Sequence, residues 1–373
     1  MQLLHAFEKI KDPRNPNHRN YRHQLTDILA LTLLATLSGA DDWQEIQTFG
    51  ESNQKWLEDH FDFSNGVPSH DTLARVFQLL NPLSLQEAFQ SWIQSICQHK
   101  KDLIAIDGKT LRHSYDKGSH GPIHMISAWS HQNQMVFGQL KTHEKSNEIT
   151  AIPKLLRLLD LSGCIVSIDA MGCQTAIAET IVDSEGDYVL AVKGNQKVLY
   201  EQVMDFFKTA EQEKYKNTPY FEHVDAPSKN HGRIEARRYT LCPLPHYFAD
   251  TLRWKGLKGI GRIERRRELD GKISREVSYS ILSFSDDIHL FSQSVRSHWQ
   301  IENALHWSLD VAFREDDSRI RKANSPENMA IIRHMSLNML KNEKTYRQGI
   351  KGKRKRAGWD KNFLLKVLAV EGA

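Results

Sequence analysis

Three acidic residues carry the chemistry this sequence offers first. In "IAIDGKTLR", Asp107 closes a short apolar run and precedes Gly108, Lys109 and Thr110; in "IVSIDAMG", Asp169 closes the run Ile165 to Ile168 in the same way. Two strands of one sheet that each present a carboxylate at an end would bring the pair side by side, where they repel unless cations neutralise them. Hard divalent cations require anionic oxygen ligands. With a third acid, such a site holds two Mg²⁺ about 3.5 to 4 Å apart, which activate the attacking oxygen and stabilise the leaving one in phosphoryl transfer. A plainer reading competes at Asp107, because Asp-Gly is also a common hairpin turn.

The third acid has a candidate in "VRSHWQIENALHWSLD". On a helix, His298, Glu302, His306 and Asp310 stand four apart and form a polar ridge, while Val295, Trp299 and Leu305 belong to a neighbouring apolar face. Glu302 lies at the centre of that ridge, beside Trp299 and Ile301, where a structural acid has little reason to be. For His306 and for Asp310 a satisfied surface or core pair is the favoured reading. The spacing is not His-Glu-x-x-His, so zinc has weak support. Lys109 and Lys193, just beyond strand ends, would touch phosphates or be ordinary exposed lysines.

The elements that must position these groups change character along the chain. Residues 1 to about 100 read as helical: "HQLTDILALTLLATLSGA" is apolar on most sides, as a buried helix would be, and "DDWQEIQTFGESNQKWLEDHF" follows at near-helical spacing. In "GVPSHDTLARVFQLL", Ser69 is the expected N-cap of a helix that turns Leu73, Val76, Phe77 and Leu80 inward. A short turn before a capped helix suits a helix-turn-helix reader, although an ordinary helical hairpin is the favoured reading. From 101 the order β-β-β-α-β-α-β points to an α/β (α+β) mixed sheet flanked by helices. A β-rich insertion follows at about 200–288, with Asp270-Gly271 as a hairpin turn. Helix returns from 287.

Charge and composition narrow the class. The 373 residues allow two or three domains. Cys97, Cys164, Cys173 and Cys242 show no Cys-x-x-Cys spacing, which fits a reducing, cytoplasmic compartment. The N-terminus lacks the basic-then-apolar order of a secretory signal, and the longest apolar run, Ile28 to Leu37, is well short of the roughly 20 residues a membrane span needs. A soluble protein is expected. The net charge of +4 conceals two basic blocks. One runs from Lys341 to Lys361, with nine Lys and Arg against Glu343 and Asp360; the other from Lys229 to Glu276, with thirteen bases against six acids. Charge concentrated this way is what neutralising a phosphate backbone requires, although a solvated surface or tail would look alike. Within the blocks, Arg233 and the run Lys353, Arg354, Lys355 and Arg356 are the candidate phosphate contacts.

Six stretches in this order, "IAIDGKTLRHSYD", "EKSNEITAIPKLL", "SIDAMGCQ", "YVLAVKGNQ", "HGRIEARR" and "HWQIENALHWSLDVAFREDD", resemble the insertion-sequence transposases of the DDE superfamily, most closely the H-repeat-associated group. The likeness covers nearly the whole chain. It implies a ribonuclease-H-like catalytic domain over 101–340 with the β-rich insertion between the second Asp and the Glu. With the residue patterns above, the expected organisation is completed by a helical N-terminal domain over 1–100 that helps bind DNA and a basic C-terminal tail over 341–373. The implied activity is cleavage and joining of double-stranded DNA at transposon ends with Mg²⁺, for which Mn²⁺ substitutes, by a homodimer on paired ends. Carried over by position, Asp107, Asp169 and Glu302 would be the catalytic and metal-binding triad. The resemblance breaks at one point: related transposases often carry Tyr-x2-Arg-x3-Glu-x6-Lys around the glutamate, in which Arg and Lys hold phosphates. Here Val295, His298, Glu302 and Leu309 occupy those positions. Arg296, His298 and His306 are the nearest substitutes. Two other classes stay open: a catalytically silent DNA-binding relic or repressor, and a structure-selective nuclease that cuts without joining.

Overall fold

The computed structural model describes residues 2–17, 21–115, 121–142, 148–230, 233–248 and 253–369. Asp116 and residues 144–147, 231 and 232, which belong to three of the quoted stretches, lie outside the described residues. Six helices come first: α1 (Gln2–Phe7), α2 (Leu25–Leu37), α3 (Trp43–Ser52), α4 (Gln54–His60), α5 (His70–Leu79) and α6 (Pro82–Ile96). Then follow β1 (Leu103–Thr110), β2 (His124–Ser130), β3 (Met135–Thr142), α7 (Glu148–Leu156), β4 (Ile165–Ile168), α8 (Thr175–Asp183) and β5 (Asp187–Val192). This is the expected β-β-β-α-β-α-β order. Helix α9 (Lys197–Gln212) leads into β6 (Phe221–Val224), β7 (Ser228–Asn230), β8 (Arg233–Pro243), β9 (Gly259–Leu269) and β10 (Lys272–Leu282). The chain ends in α10 (Ile288–Ile301), α11 (Trp307–Phe313), α12 (Ser325–Asn342), α13 (Ile350–Trp359) and α14 (Lys361–Leu368).

The strands form one mixed sheet in the order β3-β2-β1-β4-β5-β10-β9-β8-β6, with β7 beside β8. β1, β4 and β5 are parallel neighbours, whereas β2 and β3 form an antiparallel pair. The insertion is not a separate body on a stalk. Its last strand pairs antiparallel with β5, from Tyr279 opposite Val192 to Leu282 opposite Val189, so the insertion lengthens the sheet. Asp270 and Gly271 both take positive φ, as the expected two-residue hairpin between β9 and β10 demands. Asp107 makes no such turn: β1 runs on through Gly108 to Thr110, which removes the hairpin alternative there.

By its contacts the chain divides into two compact units: Lys100–Asp107 with Glu148–Ile301, and Met1–His99 with Gly108–Asn147 and Glu302–Ala373. The chain passes from one unit to the other at 99/100, 107/108, 147/148 and 301/302. In the second of them, α12 is buried along nearly its whole length and packs against α2, α5, α6, α13, α14 and β3. The reason is legible in α2, eleven of whose thirteen residues are buried: an all-round apolar helix needs cover on every side, and the C-terminal helices supply it. Asn328 and Asn338 make this packing specific. Asn328 Nδ2 donates to the carbonyls of Phe77 and Leu80, each at 2.9 Å, and Asn338 exchanges two bonds with the backbone of Val136. Ser69 caps α5 as expected, its hydroxyl accepting from the Thr72 N–H. The stretch 43–60 is two helices, because the Asn53 side chain donates to the Phe49 carbonyl at 2.7 Å and ends α3. Among the described residues no helix is long and apolar enough to cross a membrane.

One strained carboxylate in this unit gives a pH prediction. Burial first, and then the charge of Asp62, pushes the Asp27 carboxyl up to about 6 from 3.8. Because the folded value lies above the unfolded one, the folded state loses stability as pH rises from about 4 through about 6. Asp27→Asn is expected to raise Tm by about 2–5 °C at pH 7.5 and to leave it unchanged near pH 4, checked by thermal melts at the two pH values.

Candidate active site

The register between β1 and β4 sets the two aspartates. Ile106 lies opposite Ile168, so Asp107 and Asp169 occupy equivalent positions one residue further along neighbouring parallel strands, whose spacing is about 4.8 Å. Asp107 is half-buried and Asp169 exposed. Asp169 leaves the sheet by capping the 3₁₀ turn Ala170–Gly172: its Oδ1 accepts from the Met171 N–H at 3.1 Å and the Gly172 N–H at 3.3 Å. A β-carbon on Gly172 would meet Ile168 Cγ2 at 2.2 Å, so only glycine lets the turn close against the strand. Asn195 Nδ2 donates to the Ala170 carbonyl at 2.6 Å and braces the turn from outside.

Helix α10, packed on β4, brings His298 to this pair. Its Nδ1 lies 3.4 Å from Ser167 Oγ. Burial holds the imidazole below its usual range, opposed by the charges of both Asp107 and Asp169. A single ring thus feels both carboxylates. His298 therefore lies beside the acid pair.

The other unit begins its last segment at Glu302. Residues Glu302–His306 form a π-helical turn between α10 and α11, so the helix expected to carry His298, Glu302, His306 and Asp310 in one straight ridge is interrupted at its centre. Such turns are rare in helices and concentrate at functional sites. Glu302 is exposed, and its Oε2 lies 3.1 Å from Nδ1 of the buried His306. That hydrogen bond chiefly, with the charges of His306 and Lys109, holds the Glu302 carboxyl below its usual range despite partial burial.

Lys109 also turns inward. Its ammonium sits 2.7 Å from Asp310 Oδ1, 2.9 Å from Asp316 Oδ1 and 3.4 Å from Glu315 Oε2. Burial would depress it, but Glu315, Asp310 and Asp316 outweigh burial and hold it above the usual lysine range. Arg333, fully buried on α12, reaches Ser318 Oγ at 2.9 Å and Glu315 at 3.8 Å. The sequence signal for this network was "REDD" at 314–317, an acidic run with no assigned partner until Lys109 and Arg333 are brought to it.

Several expected phosphate contacts therefore need correction. Lys109 and His306 are spent on carboxylates inside their unit. Lys353 and Arg354 are buried: Lys353 donates to the Leu340 and Glu343 carbonyls, and Arg354 to the carbonyls of Thr36, Ala40 and Ala312 and to Asp41 at 2.9 Å. The basic tail is in fact the packed helix α13, because apolar and carbonyl groups elsewhere in the unit receive its cationic stems. Arg356 lies over the rings of Tyr346 and Phe363, and Arg296 pairs with Asp225 at 3.1 Å. Lys193, Lys355 and Arg233 are exposed.

Comparison with known proteins shows the family. A family model described as "Transposase DDE domain" matches residues 98–339, and one described as "DDE_Tnp_1-associated" matches residues 4–93. The chain is 44% identical over 357 residues to the "H repeat-associated putative transposase YhhI" of Escherichia coli (strain K12), covering 94% of this chain and 93% of that protein. It is 43% identical over 374 residues to the "Putative transposase YncI" of Escherichia coli O157:H7, covering 98% and 94%. A shorter match, 52% over 54 residues, is to the "Inactive transposase YbfQ" of Escherichia coli (strain K12), with 14% of this chain and 64% of that protein covered. On the parallel strands that each lead into an aspartate, and on the family match over most of its length, the chain belongs to the DDE transposase family.

Proposed function

We propose that this protein cleaves double-stranded DNA at the ends of an insertion sequence and joins the freed 3′ ends to a target. Asp107, Asp169 and Glu302 serve as ligands for divalent cations, Mg²⁺ by preference with Mn²⁺ as substitute. The observation that carries this reading is the level placement of Asp107 and Asp169 on neighbouring parallel strands, with both charges acting on His298. Carboxylates supply the anionic oxygen donors that a hard divalent cation requires. When bound, Mg²⁺ supplies charge neutralisation at the scissile phosphate and activation of the attacking oxygen. The chain's own residues do the positioning. Asp169 is fixed by the two N–H groups of its turn, Glu302 by its bond to His306, and the strands hold the aspartates without loop freedom. A homodimer on paired ends is the form in which two ends would be cut and joined together.

The test uses duplexes carrying insertion-sequence ends, incubated with the full-length protein and Mg²⁺. Cutting that EDTA abolishes, together with joining of a supplied 3′ hydroxyl, supports the proposal. Cutting without joining makes the protein a nuclease. Binding with neither reaction makes it a DNA-binding relic.

A further inference from the structure

Around Glu302 the sequence lacks the arginine and lysine that related transposases place against phosphates, and two of the nearest substitutes are occupied: His306 by Glu302 and Arg296 by Asp225. The β insertion offers another source of charge. In the β8–β9 register, Arg237 lies opposite Arg265 and Glu235 opposite Arg267, so these four and Arg233 share one face of the sheet. Like charges directly opposite each other on a sheet are destabilising.

Among the described residues two carboxylates offset this arrangement. Glu235, buried at 8% exposure, lies 3.5 Å from Arg233, 3.5 Å from Arg265 and 3.7 Å from Arg267, and it also contacts Arg237. Glu276, opposite Arg265 on β10, adds a second carboxylate at 3.4 Å. Four guanidinium groups thus share two acids. Among the described residues the Nε atoms of Arg237, Arg265 and Arg267 make no hydrogen bond, and those of Arg265 and Arg267 face the Glu235 carboxylate only as ion pairs at 3.5 and 3.7 Å. Burial, and then repulsion from Arg237 and Arg267, holds Arg265 below the usual guanidinium range. Trp299 of α10, half-exposed, lies against the Arg265 guanidinium, 4.8 Å from its ring centroid. Arg233 and Arg267, at 47% and 38% side-chain exposure, form the open side of the cluster.

We infer that this arginine face, Arg233, Arg237, Arg265 and Arg267, binds the phosphate backbone of DNA. Guanidinium forks match phosphate oxygens bidentately, and a phosphate at the open side of the cluster would add anionic acceptors where four guanidinium groups share two carboxylates. The inference rests on the DNA transposase reading above, and takes over the phosphate-holding task missing around Glu302.

Binding of the full-length protein to an arbitrary-sequence duplex of about 30 base pairs, measured in EDTA by fluorescence anisotropy between about 50 and 200 mM salt, tests it without catalysis. Arg265→Gln and Arg267→Gln should each make the slope of log affinity against log salt shallower by about 1, with Tm unchanged or raised because a like-charge contact is relieved. Glu276→Gln, at an exposed position, should bind DNA about two- to fivefold more tightly, since it releases Arg265. Arginine variants that keep the wild-type slope overturn the inference alone. A lost slope accompanied by a clear fall in Tm also overturns it, since the arginines would then be structural. Failure of the wild-type protein to bind any duplex overturns both this inference and the DNA transposase reading.

Discussion

Asp107→Asn is expected to lower Mg²⁺-dependent cleavage of transposon-end DNA by at least about 10³-fold, since an acid that holds a catalytic cation contributes several kcal/mol at the transition state. Binding of the same DNA is expected to persist or tighten, because a negative charge near the phosphates has been removed. Tm should move by no more than a few degrees, as Asn fits the same half-buried position in β1. Gel-based cleavage, anisotropy and a thermal melt on one preparation separate the three effects. A variant that cuts at the wild-type rate would remove Asp107 from the active site. One that neither binds nor melts cooperatively would show that the residue is structural.

The second large effect concerns Arg354, whose place in a basic run marked it for phosphate but whose surroundings mark it for the core. Its guanidinium donates to three backbone carbonyls and to Asp41, and lies 4.3 Å from the centroid of the Phe313 ring. Burial holds its pKa below the usual range, with Asp41 opposing. Removing one partner of such a buried charged network costs about 3–5 kcal/mol. Arg354→Ala is therefore expected to lower Tm by about 10 °C, with the salt dependence of DNA binding unchanged below the melt. Lys355→Ala, at an exposed position one residue on, should leave Tm unaltered. Equal melting temperatures for the two variants would contradict the buried role of Arg354.

The sequence revealed the aspartates more completely than the groups around them. Asp107 and Asp169 were legible because each follows a short apolar run, and a strand buried on both faces leaves few readings for a terminal carboxylate. Glu302 was legible as an acid where packing gives no reason for one. Its π turn was not, because a 3.6-residue period has no way to signal one extra residue in a helix. Lys109, Lys353 and Arg354 read as surface charge in the sequence, because composition carries charge but not the distant carbonyls and carboxylates that receive it. The same limit applies to the units: α2 announces in its apolar residues that it must be covered, but not that α12, some three hundred residues later, covers it. Pairing of β10 with β5, which turns the insertion into an extension of the sheet, is likewise a long-range fact carried by no local pattern.

The central claim is that Asp107, Asp169 and Glu302 jointly hold the ions that act on DNA. Crystals of the full-length protein soaked in Mn²⁺ and measured at the manganese absorption edge address it most directly. The account predicts anomalous peaks within about 2.0–2.3 Å of carboxylate oxygens from all three residues. Peaks confined to other acids, with these three carboxylates bound to no ion at saturating Mn²⁺, would contradict it.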